Sequence, residues 1–138
     1  MKQALIICVA ALLPAIAQWQ LQPPVGWRSS THQSDDGGEL VTAAAVRAWK
    51  SPITWVDARP QVEFSADHLP GAILLNEDNW DSLLPGCLAQ WQPGQTVVVY
   101  CGAGCDSSRR VALRLRLAGV PDIRVLDGGW DAAKSLRP

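Results

Sequence analysis

The sequence has no surplus of either charge: twelve Lys and Arg against thirteen Asp and Glu leave a formal charge of −1 at pH 7. A nucleic acid or an anionic membrane surface would need a basic face, so neither is expected as a partner. The chain also lacks an unbroken apolar run of membrane length. A spanning helix needs ~20 apolar residues, whereas the run near the N-terminus is interrupted by Pro14 and ends at the polar series Gln18, Trp19, Gln20, so no membrane span is expected in the mature form. Four cysteines are too few for a disulfide scaffold. With no paired C-x-x-C spacing, and only His32 and His68 to add to Cys87, Cys101 and Cys105, no metal site is expected. There is no internal repeat. At 138 residues the chain has room for one domain, so a multi-domain enzyme is not expected. What it does have is 48% hydrophobic and 18% charged residues, enough apolar material for a real core and against disorder throughout.

Residues 1–17 read as a secretory signal: Lys2 supplies the positive start, Ala4 to Leu13 the apolar run, and Ala15-Ile16-Ala17 a small-x-small cleavage site. Cleavage before Gln18 implies an exported protein, periplasmic or extracellular; left uncleaved, the segment would anchor the domain at the membrane. Cys8 departs with the signal. Three cysteines then remain in a compartment that oxidises unprotected thiols, so at least one stays free, pairs with another molecule or serves chemistry. Residues 18–38 are rich in Gln, Pro, Ser, Asp and Gly without an apolar period, which reads as a flexible tether. The folded domain is expected over residues 39–138.

Within it short elements alternate. Thr42 can cap a helix running through Trp49, Ile53 to Val56 form a brief strand ending at Asp57, and Pro60 can open a helical turn. Ala72 to Leu75 is a second apolar run. Thr96-Val97-Val98-Val99-Tyr100 is the strongest strand signal and predicts a central strand. Ser108 to Leu117 places Val111, Ala112, Leu115 and Ala118 on one helical face, with Arg109, Arg110, Arg114 and Arg116 mostly outside it. Ile123 to Leu126 is another strand, and Asp127-Gly128-Gly129-Trp130 turns the chain into a last helix. Strands separated by helices predict an α/β fold, a mostly parallel central sheet covered by helices on both faces. Trp55 and Trp130 fit its core.

Cys101 stands at the carboxyl end of the strongest strand, followed by Gly102, Ala103, Gly104, Cys105, Asp106, Ser107 and Ser108 and then the amphipathic helix. Ligands bind at that edge of open α/β sheets, and a short loop entering a helix presents backbone N–H groups that have no partner within the helix. Those donors and the helix dipole favour a thiolate and are expected to depress the Cys101 pKa from about 8.5. Gly102 and Gly104 permit the curl around the sulfur, and Ser108 can cap the helix. Read as a packing residue instead, Cys101 is a small hydrophobe at a strand end.

Taken together the landmarks resemble the rhodanese-like family. Asp57-Ala58-Arg59 resembles its D-x-R, and Glu63 followed by His68-Leu69-Pro70-Gly71-Ala72 its G-H-I-P-G-A. Val99-Tyr100-Cys101 resembles the strand entering its catalytic loop, and Leu126-Asp127-Gly128-Gly129-Trp130 its G-G-W close. The resemblance covers roughly residues 39–135. It implies a single rhodanese-like domain in which Cys101 is the nucleophile of a sulfurtransferase. The thiolate would take a sulfane sulfur from a donor such as thiosulfate and pass it, as a persulfide, to a thiophilic acceptor such as cyanide or a thiol, a protein thiol included, with no cofactor. Residues 102–108 would form the substrate-binding loop and stabilise the anionic sulfur through their N–H groups.

Two departures from the family pattern stand out. The loop is one residue longer than the usual rhodanese loop, which bears on donor size and acceptor choice. It approaches the length of the dual-specificity phosphatase loop, but Ser107 stands where a C-x5-R pattern requires Arg, so bidentate phosphate binding is missing. The second departure is Cys105, a candidate resolving thiol able to pair with Cys101 if their Cα atoms come within ~7 Å. It leaves a thiol-disulfide redox or sensor domain as an alternative, beside a non-catalytic binding module. Asp57, Arg59 and His68 are read as architectural, Arg109 and Arg110 as a solvated face or a donor-attracting pair, and Cys87 as a structural thiol.

Overall fold

The computed structural model describes residues 37–138. The signal and all of the tether up to residue 36, with His32 and Trp27, lie outside the described residues. The elements are β1 (Glu39–Val41), α1 (Ala43–Ala48), β2 (Ile53–Asp57), α2 (Gln61–Ala66), β3 (Ile73–Leu74), α3 (Trp80–Gln90), β4 (Thr96–Tyr100), α4 (Ser107–Leu117), β5 (Ile123–Leu126) and α5 (Gly129–Lys134). The five strands form one sheet in the order β1-β5-β4-β2-β3, and all four pairings are parallel. Parallel neighbours need crossover connections, and the helices between the strands supply them.

β4 takes the central position its sequence predicts, and its side chains alternate between two cores. Val97 and Val99 join Val56, Ile123 and Val125 beneath α3 and α4, packing on Val111, Ala112, Leu115, Trp80 and Cys87. Val98 and Tyr100 face the other way, with Leu126, Val46 of α1 and Ala133 of α5. A strand buried on both faces can be apolar at every position, which is why the Val97-Val98-Val99 run belongs in the middle. Trp55 and Trp130 pack at the margin of the second core, whereas among the described residues the buried tryptophan is Trp80.

Local signals place several boundaries. The Thr42 hydroxyl accepts from the Ala45 N–H at 3.2 Å, capping α1 as its sequence predicts. Pro60 opens α2. Gly37 and Gly38, assigned by sequence to the tether, are buried against the Arg109 backbone and Val125; a Cβ on Gly37 would stand 2.1 Å from the Arg109 carbonyl oxygen. Two elements have no counterpart in the sequence reading. β1 is three residues long and mostly exposed. α3 carries Pro85 and Gly86 in its interior, residues that normally argue against a helix. Among the described residues no helix is long and apolar enough to cross a membrane.

Candidate functional site

Three elements meet around Cys101. β4 delivers it to the carboxyl edge of the sheet, α4 begins six residues later, and the turn into α5 closes from the other side. The Trp130 N–H donates to the Cys101 carbonyl at 2.7 Å. Gly128 and Gly129 take φ values of 80° and 52°, and a Cβ on Gly129 would stand 2.5 Å from the Cys101 carbonyl oxygen, so only glycine lets the two turns approach this closely. An open depression of about 310 Å³ lies over the loop, lined by Cys101, residues 102–106, Ser108, Arg109, Leu126 and Asp127 among others.

Cys101 is buried, at 2% exposure, and Cys105 is exposed; both are free thiols, as is Cys87. The Cys105 N–H donates to the Gly102 carbonyl at 3.3 Å, with Gly104 at φ 69°, so residues 102–105 form a tight turn that folds Cys105 back over Cys101. The Cys101 Sγ lies 2.9 Å from the Cys105 carbonyl oxygen, 3.3 Å from that of Gly102 and 3.4 Å from the Ser108 Oγ. The two thiols act on each other, Cys105 raising Cys101 and Cys101 lowering Cys105.

This arrangement corrects two expectations. Ser108 does not cap α4: the N-cap is Asp106, without a side-chain cap, and the buried Ser108 places its hydroxyl 3.4 Å from the Cys101 sulfur. The loop donors also do not all converge on Cys101. The Cys105 N–H is spent on Gly102, and the Ser107 N–H points at the Cys105 Sγ, 3.4 Å away. Two carbonyl oxygens face Cys101, an arrangement that suits a thiol proton and opposes a thiolate. Burial therefore pushes the Cys101 thiol above its ordinary value, Ser108 pulls it down, and the neighbouring Cys105 adds to the rise, so the predicted depression does not appear. It appears instead at Cys105. Slight burial raises that thiol, but the Ser107 hydroxyl and N–H, the Cys101 thiol and the Arg110 charge outweigh it and hold Cys105 below its ordinary value.

Beside the loop, β2 ends at Asp57, which is fully buried with Arg59. The Arg59 Nη2 and Nε bind the Asp57 carboxylate at 2.7 and 3.0 Å, and Nη2 also donates to the Asp67 carbonyl at 2.6 Å. The guanidinium stacks 4.0 Å from the centre of the Trp130 ring, which in turn stacks on Tyr100. The Tyr100 hydroxyl accepts from the Leu69 N–H at 3.3 Å, and burial pushes its pKa well above the ordinary range. His68 hydrogen-bonds the Phe64 carbonyl through Nδ1 at 2.8 Å and stacks on the Phe64 ring. These groups form a structural platform, as their sequence context predicts, and none lines the depression over Cys101.

Sequence reasoning missed Glu77 and Asn76. The Arg110 Nε donates to both Glu77 carboxylate oxygens at 2.9 Å, and its Nη2 reaches the Ser107 hydroxyl at 3.2 Å, so Arg110 is fastened across the loop rather than merely solvated. The buried Asn76 donates to the Arg59 carbonyl. Thirty-three residues separate Glu77 from Arg110, and no local pattern announces such a pair.

A parallel α/β sheet with a cysteine at the carboxyl end of its central strand, under a loop that feeds a helix, places that thiol at the edge where open α/β sheets bind ligands. The family model for the rhodanese-like domain matches residues 41–136, and the chain belongs to that family. Similar solved structures include a rhodanese-like domain protein from Staphylococcus aureus, 23% identical over 67% of this chain and 88% of that one, with a TM-score of 0.53. The rhodanese-like domain of an Anabaena protein is 23% identical over 70% and 74%, with a TM-score of 0.55. The reduced CoADR-RHD protein of Bacillus anthracis is 18% identical over 72% of this chain and 17% of its own length, with a TM-score of 0.53. Identities at this level speak for the fold alone. Comparison with curated proteins gave no match.

Proposed function

We propose that the chain is an exported sulfurtransferase that moves a sulfane sulfur from a small donor of the thiosulfate class to cyanide or a thiol through a persulfide on Cys101. The observation that carries this reading is the position of Cys101: lining the depression, just past the end of the central strand, with the Ser108 hydroxyl 3.4 Å from its sulfur. In the first step the Cys101 thiolate attacks the outer sulfur of thiosulfate. A sulfur–sulfur bond forms to Cys101 as the one in the donor breaks, and sulfite leaves with the electron pair. In the second, the acceptor attacks the terminal sulfur and Cys101 departs as the thiolate. The thiol is neutral at rest, so the proton must leave before attack. Ser108 favours the thiolate, whereas burial and the facing carbonyls restrain it.

Thiocyanate production from thiosulfate and cyanide tests the reading. The wild-type chain is expected to turn over and Cys101→Ala to be inactive while still folded; equal production by both would end it.

A further inference from the structure

We propose that Cys105 is a second catalytic thiol, which attacks the persulfide on Cys101, releases the sulfane sulfur as hydrogen sulfide and leaves a Cys101–Cys105 disulfide. The step rests on the sulfurtransferase reading above. Its basis is the turn over residues 102–105, closed by the Cys105 N–H on the Gly102 carbonyl, which folds residue 105 back so that its carbonyl oxygen stands 2.9 Å from the Cys101 Sγ. The inner sulfur of a Cys101 persulfide is that Sγ, so the residue carrying the resolving thiol already packs against the atom it would attack. The two sulfurs also differ as a nucleophile and its target should. Cys101 is buried and faces carbonyl oxygens, whereas Cys105 is exposed, receives the Ser107 N–H at 3.4 Å and lies near the Arg110 charge that Glu77 and Ser107 hold in place. An N–H and a guanidinium both favour a thiolate.

Atoms and electrons balance within the loop. The Cys105 thiolate forms a bond to the Cys101 sulfur as the bond from that sulfur to the sulfane atom breaks. The sulfane atom leaves with the electron pair and the persulfide proton as hydrosulfide. It gains two electrons, and the two cysteines lose two in becoming a disulfide. A dithiol reductant returns the pair to the thiol form by two exchanges, so the net reaction turns thiosulfate and a dithiol into sulfite, sulfide and an oxidised dithiol.

The test uses the reduced full-length chain without oxygen, treated with thiosulfate and no acceptor, followed by sulfide measurement and peptide mass mapping. Wild type is expected to release one sulfide per chain and to yield a peptide in which Cys101 and Cys105 are joined. Cys105→Ser is expected to release none and to keep one added sulfur on Cys101. Wild type that keeps the added sulfur without releasing sulfide, or sulfide release undiminished in Cys105→Ser, overturns the resolving step while leaving sulfur transfer standing. Absence of added sulfur in Cys105→Ser together with no sulfide from wild type overturns both.

Discussion

Asp57 and Cys101 leave adjacent strands at the same edge of the sheet, Asp57 paired in register with Tyr100, yet their surroundings treat polar groups in opposite ways. Around Asp57 each strong donor and acceptor has a fixed answer. The carboxylate takes the Arg59 fork and backbone N–H, the guanidinium also holds the Asp67 carbonyl, and Trp130 covers its face. Around Cys101 the supply is divided: Ser108 serves one sulfur, Ser107 the other, and two carbonyls compete for the Cys101 proton. Saturated polar clusters specify a structure, whereas a loop with donors shared between two thiols can rearrange around a changed sulfur. A polar group at the ligand edge of an α/β sheet is therefore no sign of chemistry until its partners have been counted.

The largest expected effect breaks the saturated side. Asp57→Ala leaves the Arg59 charge buried without its carboxylate and should cost about 3–5 kcal/mol, read as a fall in the denaturation midpoint. The loop sulfur should still alkylate in whatever fraction remains folded. Next comes Cys87, a buried thiol with no loop donor. Burial pushes it up to about 11 from an ordinary 9.0. Both folded and unfolded chains keep that proton below pH 9, so its contribution is intact there. It is lost as pH rises toward 11, where the unfolded chain ionises first, by roughly 3 kcal/mol. Urea denaturation across that range should show the loss, and Cys87→Ala should flatten it.

A smaller effect sharpens the loop side. Ser108→Ala removes the hydroxyl that favours the Cys101 thiolate, and sulfur transfer at neutral pH should fall about tenfold, equivalent to about 1.4 kcal/mol. Because Cys101 already titrates above the ordinary range, the wild-type rate should climb with alkalinity, and the variant's climb should move to still higher pH. A rate that is flat with pH in both proteins would contradict this assignment. The smallest effect is Glu77→Gln. Its partner Arg110 is 55% exposed, and stability should change by only about 0.2–1 kcal/mol.

Much of this contrast was legible in the sequence and part was not. The Val97-Val98-Val99 run, the helical spacing of Val111, Ala112 and Leu115, and the Thr42 cap are local signals, and each produced the element expected of it. α3 was hidden because Pro85 and Gly86 contradict local propensity and tertiary burial of Trp80 and Cys87 overrides it. The placement of Cys101, of the loop and of the Gly128-Gly129 close followed from residue order. The direction of each loop carbonyl did not, since a peptide plane can turn either way without changing a residue. The exchange of thiol character between Cys101 and Cys105, the turning of Ser108 from cap to sulfur donor, and the reach of Glu77 to Arg110 all depend on that geometry.

Sulfur tracing tests the central claim most directly. When the Cys105→Ser chain, which cannot resolve a persulfide, is treated with thiosulfate labelled in its outer sulfur, the label should appear on the peptide bearing Cys101 and pass into thiocyanate when cyanide is added. Label confined to another cysteine, or thiocyanate formed with no label ever held by the protein, would contradict the account.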